Sequence, residues 1–216
     1  PWVVAEKEVC CGMPKLEQGD LDAVDRLKRI NIPHLAKLAR EGYAILAGVP
    51  SCTLMFKQEI PLMYPNDEDV QAVKAAFWDP FGYFIARTKD GLMDTEFQEG
   101  LGAVSYQAPC HGRVQNIGKK TEEFLKLIPD TEVKTTERCS GHAGTYGVKK
   151  EFHETSMKIG KPVFRAMNEN NPDYISSDCP LGGHHIAQGI RENHNNEPTL
   201  AHPLSLVAKA YGLNKE

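Results

Sequence analysis

No run of about 20 apolar residues occurs among the 216 residues, so nothing here reads as a bilayer-spanning helix. No block of basic residues stands out either. With 25 Lys and Arg against 29 Asp and Glu, the net charge is −4, and the sequence offers no electrostatic footprint for nucleic acid. Six cysteines are too few for a disulfide-stapled scaffold of this length, which favours a reducing, cytoplasmic setting, free or peripheral on the cytoplasmic membrane face. No Cys-x-x-Cys pair is present, which removes the usual signature of a structural zinc cage and of a thiol redox catalyst. Gly182-Gly183 and Gly141-His142-Ala143-Gly144 lack the Lys-Ser/Thr ending of a phosphate-binding loop. The chain opens at Pro1 without an initiator methionine, and we expect it to be cut at its N-terminus.

What the sequence does hold is a repeated cysteine block. Glu8-Val9-Cys10-Cys11-Gly12 aligns with Glu137-Arg138-Cys139-Ser140-Gly141, and each is followed about forty residues later by one more cysteine, Cys52 or Cys179. Cys110 precedes the second block. Vicinal cysteines do not form an ordinary disulfide, which needs Cα atoms about 4.4–6.8 Å apart with a χ3 near 90°. They do offer two thiolates to one metal centre. Cys10, Cys11, Cys52, Cys110, Cys139 and Cys179 therefore read as metal ligands, with buried, inert thiols as the plainer alternative. Iron–sulfur clusters accept thiolates from widely separated loops, whereas zinc sites favour short-spaced pairs, so zinc is the weaker reading.

Helical and strand-like patterns alternate, which predicts an α/β fold. Asp20 is placed to cap a helix through Leu21, Val24, Leu27, Leu35 and Leu38 that stops at Gly42, with Pro33 expected to kink or split it. Ile45–Val49 reads as a strand leaving through a Pro50-Ser51-Cys52 turn. Asn66 followed by Asp67, Glu68 and Asp69 opens a helix with Val70, Val73 and Phe77 on one face, and another is expected near 81–87. Strands are expected at 103–108, 132–137 and 174–177. Helices are expected around Phe124, from about Lys149 with Phe152, Ile159, Val163 and Met167 on one side, and at 203–211. In this reading Cys52, Cys110, Cys139 and Cys179 each follow a strand, at the edge where open α/β sheets bind ligands. The repeat divides the chain into similar halves, 1–102 and 103–216.

Five strings carry a likeness: Cys10-Cys11-Gly12-Met13-Pro14, Pro50-Ser51-Cys52, Pro109-Cys110-His111, Glu137-Arg138-Cys139-Ser140-Gly141-His142 and Ser177-Asp178-Cys179-Pro180-Leu181. Together they resemble the cysteine-rich CCG domain family, which includes iron–sulfur subunits of heterodisulfide reductase and of anaerobic glycerol-3-phosphate dehydrogenase. The resemblance implies a duplicated α/β fold with metal-binding loops at the ends of short, mainly parallel strands. It also implies one or two iron–sulfur clusters, [4Fe–4S] in type. The implied role is an electron-transfer subunit of an oxidoreductase complex, passing electrons between a partner dehydrogenase and a quinone or thiol/disulfide acceptor. Catalysis at an open cluster site and a zinc-stabilised assembly module are the alternatives.

The family repeat has a leading cysteine, a Cys-Cys pair and a closing Cys-x-x-Cys. Cys110 leads the second repeat here, 29 residues before Cys139, and the equivalent lead for Cys10 falls ahead of Pro1, leaving the first site incomplete. Ser140, Val49 and Gly182 stand where the resemblance implies further cysteines. His111 and His142 are then candidates for a non-cysteine ligand or for a hydrogen bond to a sulfur or carbonyl. His184, His185 and His202 read as surface or helix-cap residues. Arg113, Arg138, Lys149 and Lys150 flank the loops, either to offset an anionic cluster or as solvated charge.

Overall fold

In the computed structural model, residues 3–5, 7–144, 146–169 and 171–213 are described, and the chain divides into two compact units, 1–80 and 81–216. The predicted α/β class holds: helices surround short, wholly parallel sheets in both units.

In the first unit, α1 (Met13–Glu17) leads into α2 (Leu21–Arg40). Asp20 caps α2 by accepting a hydrogen bond from the Ala23 amide at 3.0 Å, and Gly42, at φ +88°, ends it. Pro33 neither splits nor ends α2. It removes one N–H from the ladder, but Val24, Ile32, Leu35 and Ala36 bury a continuous stripe that holds the helix together. The expected strand shrinks to β1 (Ile45–Leu46), and the expected Pro50 turn is instead the start of α3 (Pro50–Leu54). Proline at the first helical position costs nothing, since its missing N–H would have no partner there. The helix widens into a π-helical stretch, Met55–Glu59, just ahead of α4 (Ile60–Met63), where Pro61 again lacks an N–H. Asp67 then caps α5 (Glu68–Ala76), and β2 (Phe77–Trp78) pairs in parallel with β1 through Ile45↔Phe77 and Leu46↔Trp78. Val70, Val73 and Phe77 are all buried, as their spacing predicts.

The second unit holds all of α6 (Pro80–Lys89) but its first residue, then β3 (Gly102–Gln107), α7 (Cys110–Arg113), α8 (Lys120–Leu125) and β4 (Thr131–Thr136). A short 3-10 turn enters α9 (His153–Asn168), followed by β5 (Tyr174–Ser177), α10 (Pro180–His194) and α11 (Pro203–Ala210). The sheet order is β4-β3-β5, all parallel, and Leu200 adds an isolated parallel bridge to Ile175 on the outer side of β5. Alternation along β3 sorts its two faces. Val104, Tyr106 and Ala108 join a core with Phe81, Phe124, Leu125 and Leu206, from α6, α8 and α11. Ser105 and Gln107 face the other way, where Ser105 donates to the Met167 sulfur on α9 at 3.4 Å.

In this unit one expected burial fails and one helix goes unanticipated. Ile159 lies on the exposed side of α9, and the buried stripe runs instead through Met157, Gly160, Val163, Phe164 and Met167. The fifteen-residue α10 (Pro180–His194) is not among the expected helices, and it carries Gly182, Gly183 and Gly189, residues of low helix propensity. Packing reverses that preference. A Cβ on Gly189 would stand 2.3 Å from the Phe164 ring, and one on Gly160 2.1 Å from the same ring, so α9 and α10 close around Phe164 only where side chains are absent.

Candidate functional site

Because β3, β4 and β5 are parallel, their C-terminal ends share one edge of the sheet. Each end delivers a cysteine: Cys110 opens α7 after Gln107, Cys139 follows Thr136 in the loop after β4, and Cys179 caps α10 after Ser177. The chain leaves β3 toward β4 but leaves β5 toward the segment at Leu200 on its far side. That reversal puts the topological switch point between β3 and β5, with Cys110 and Cys179 at its mouth.

One side chain ties the three loops together. Gln107, about 1% exposed at the end of β3, donates through Nε2 to the Ala108 and Arg138 carbonyls, each at 2.8 Å. Its Oε1 accepts from the Ser177 hydroxyl at 2.8 Å, and the Ser177 Oγ in turn accepts from the Cys179 amide at 3.2 Å. Asp178 is held by Tyr106 and by the Thr121 hydroxyl at 3.1 Å. No sequence motif pointed to Gln107. Its only signal is a polar residue at an inward position of an otherwise apolar strand end.

The thiols are met by backbone amides. Gly141 N–H donates to the Cys139 sulfur and Gly182 N–H to the Cys179 sulfur, both at 3.4 Å. Burial is the main reason the Cys179 thiol titrates above its ordinary range. The Gly182 and Leu181 amides pull it back, while Cys110 and Asp178 add to the rise. Ser140 is buried beside them, with its Oγ accepting from the His142 amide at 3.4 Å. Gly141 adopts φ +89°, and its carbonyl accepts from the Ser156 hydroxyl at 2.8 Å.

Ser156 also bonds His185 Nε2 at 3.1 Å, and burial lowers the His185 pKa from its ordinary value. His185 is thus interior, not the surface or cap residue its sequence context suggested. The His142 ring is also buried and packs edge-on to His185, with centroids 5.9 Å apart. His111 lies on α7 directly after Cys110. His202 does serve as a cap, accepting from the Leu204 amide at 3.2 Å, and His184 is exposed.

The first unit repeats part of this arrangement. Gly12 adopts φ +98°, the counterpart of Gly141, so Cys11 and Ser140 precede glycines of the same backbone hand. Asn31, buried in α2, fixes the segment from both sides: its Oδ1 accepts from the Val9 amide at 2.8 Å and its Nδ2 donates to the Cys10 carbonyl at 3.1 Å. Cys11 is buried and hydrogen-bonded to Cys52, which lies within α3, and Cys10 is exposed. That bond raises the Cys11 thiol far above its ordinary range and lowers Cys52, so Cys52 ionises first.

Among the described residues, no three His, Cys, Asp or Glu side chains gather closely enough to hold a single metal ion. The donors stand on separate loops, soft thiols backed by aimed amides. That chemistry fits a sulfide-bridged cluster, an object several ångströms across that needs grips at several points.

A family model for the cysteine-rich domain, CCG, matches residues 2–57 and 104–187, which takes in all six cysteines. The chain belongs to the CCG cysteine-rich domain family. It is 27% identical over 211 residues to a subunit of the anaerobic glycerol-3-phosphate dehydrogenase of Escherichia coli K12, covering 94% of this chain and 50% of that protein. It is 27% identical to a subunit of the fumarate reductase (CoM/CoB) of Methanothermobacter marburgensis, covering 96% of this chain and 40% of the relative. A third relative is a subunit of the dihydromethanophenazine:CoB–CoM heterodisulfide reductase of Methanosarcina barkeri, at 23% identity, covering 98% of this chain and 52% of that one. This CCG chain spans about half the length, or less, of these relatives. No helix among its described residues is long and apolar enough to cross a membrane.

Proposed function

We propose that this CCG protein is an iron–sulfur electron-transfer module of an oxidoreductase complex. One observation carries the reading: three strand ends of a single parallel sheet present Cys110, Cys139 and Cys179 at one edge, two of them with an amide aimed at the sulfur. Cys10, Cys11 and Cys52 serve a second centre in the other unit. An iron–sulfur cluster, when bound, supplies a redox couple whose potential follows its ligands, hydrogen bonds and burial. The chain's own contribution is to hold and tune. Gln107 sets the spacing of the three loops, the Gly141 and Gly182 amides draw negative charge from the thiolates, and the packed faces of the sheet keep water from the site's base.

The clusters are read as [4Fe–4S], one or two in the chain. The two halves are read as sequence repeats, 1–102 and 103–216, supported by the paired left-handed glycines Gly12 and Gly141. Relatives that are subunits of named oxidoreductases support protein redox partners; in this proposal a partner dehydrogenase is the donor and a quinone or thiol/disulfide the acceptor. The work is done on the cytoplasmic side, free or peripheral at the membrane.

The test is iron, zinc and acid-labile sulfide content of anaerobically purified and reconstituted protein, with electron paramagnetic resonance before and after dithionite. Iron and sulfide with a redox-dependent signal are expected. Zinc without sulfide overturns the reading in favour of a metal-stapled assembly module. Turnover of a disulfide or quinone with an artificial donor makes the module itself the catalyst.

A further inference from the structure

We propose that Ser140 supplies an oxygen ligand in the second unit, completing a set of three thiolates and one alkoxide with Cys110, Cys139 and Cys179. The inference rests on the cluster reading above and concerns which group holds the fourth position.

Three independent features place the hydroxyl. First, Ser140 takes the backbone position that Cys11 takes in the first unit, each just before a glycine at positive φ, +89° for Gly141 and +98° for Gly12. Cys11 uses that position to meet Cys52, the closing cysteine of its block. Second, Ser140 shares a neighbourhood with the closing cysteine of its own block. A point at the Cβ position of Gly182 lies 3.5 Å from the Ser140 Oγ and 3.5 Å from the Cys179 Sγ, so both atoms border the same small space at the start of α10. Third, the backbone around Ser140 is locked. Its carbonyl lies against Gly160 of α9, where a Cβ would come within 2.7 Å, and the next carbonyl, that of Gly141, is held by Ser156. The Ser140 hydroxyl is thereby held at the start of α10, where it also accepts from the His142 amide. Of the two histidines that are the other candidates, His142 packs edge-on against His185.

Coordination breaks the Ser140 O–H bond and forms an iron–oxygen bond. The proton passes to solvent, and no electron changes hands. Alkoxide is a harder donor than thiolate and favours the more oxidised iron. Serine here therefore sets a lower midpoint potential than cysteine would, and distinguishes the second centre from an all-thiolate one.

Wild type, Ser140→Cys and Ser140→Ala are compared after anaerobic reconstitution. The readouts are iron and sulfide stoichiometry, electron paramagnetic resonance and Mössbauer spectra, and a redox titration, with circular dichroism of the metal-free forms to show that each variant folds. Expected are a positive shift of one midpoint in Ser140→Cys and an altered resonance from one centre in Ser140→Ala, seen in the difference spectrum against wild type. A loaded wild type whose spectra and midpoints survive both substitutions unchanged overturns the Ser140 assignment and leaves the cluster reading intact. A wild type that takes up no iron and sulfide overturns both.

Discussion

The Gln107 carboxamide oxygen accepts a 2.8 Å hydrogen bond from the Ser177 hydroxyl across the β3–β5 pair, while its nitrogen reaches the Arg138 carbonyl beyond β4. One buried side chain thus spans all three strands that carry the second set of cysteines. Replacing it by leucine strands a hydroxyl and two carbonyls. Gln107→Leu is expected to cost about 2–4 kcal/mol, the usual penalty for several unpaired buried groups partly rescued by water. Urea denaturation of the metal-free protein measures the loss. Iron retention on the reconstituted variant should fall as well, and unchanged retention would remove Gln107 from the positioning role.

The two left-handed glycines are not equally tolerant. At Gly12 an added Cβ meets nothing closer than 3.5 Å, so Gly12→Ala carries only the backbone strain of positive φ, about 1–2 kcal/mol. At Gly141 the same atom would lie 2.3 Å from the Ser156 carbonyl and 2.8 Å from the Gly160 amide, both backbone groups that cannot step aside. Gly141→Ala should therefore unfold or displace the Cys139 loop. Thermal melts of the two variants, side by side, test the ranking.

Acid should loosen the first unit through Asp67. Its carboxylate caps α5, accepting from the Asp69 and Val70 amides at 3.1 Å, and pairs with Lys28. The Lys28 bond is the main reason its pKa is lowered from the ordinary value. The unfolded chain then binds the proton at a pH where the folded one does not, so stability falls as pH falls. The contribution is complete above about pH 4 and is lost as the pH drops through the folded-state value. Asp67→Ala should cost about 1 kcal/mol at neutral pH and flatten the acid limb of the stability curve. Urea melts of metal-free protein at neutral pH and at about pH 3.5, just below the ordinary carboxylate value, read both effects.

Thiol chemistry should separate the cysteines by burial. Cys10, Cys110 and Cys139 are exposed, while Cys11 is buried with its thiol held protonated against Cys52. Since the thiolate is the nucleophile, Cys11 in metal-free protein should alkylate at least about tenfold more slowly than Cys10. Peptide mass mapping over an iodoacetamide time course gives the order, and equal rates at the two neighbours would contradict the packing of Cys11.

Local patterns were enough for much of this molecule. Asp20 announces its helix, and the Asn66–Asp69 run announces α5, because a cap is a contact between near neighbours in the chain; Tyr174–Ser177 emerges as a strand with the bounds its sequence predicts. The duplicated cysteine block and the CCG family are likewise written in residue order, since spacing along the chain is all they require. Other features depend on partners far away in sequence. Pro33 sits inside an unbroken α2 because the buried stripe outweighs one missing hydrogen bond. α10 forms despite its glycines because Phe164 of α9 fills the space they leave. Gln107, Asn31 and the buried Ser156–His185 pair carry no local signature, for apart from the Gln107 bond to Ala108 their partners lie 15 to 70 positions distant. The residue types and their order therefore decided the chemistry on offer, six thiols in a repeated pattern. Which atoms come together was decided by tertiary structure: the parallel pairing of β3, β4 and β5 brings the three cysteine loops to one edge, and the packing of α9 and α10 buries Ser140 beside the start of α10.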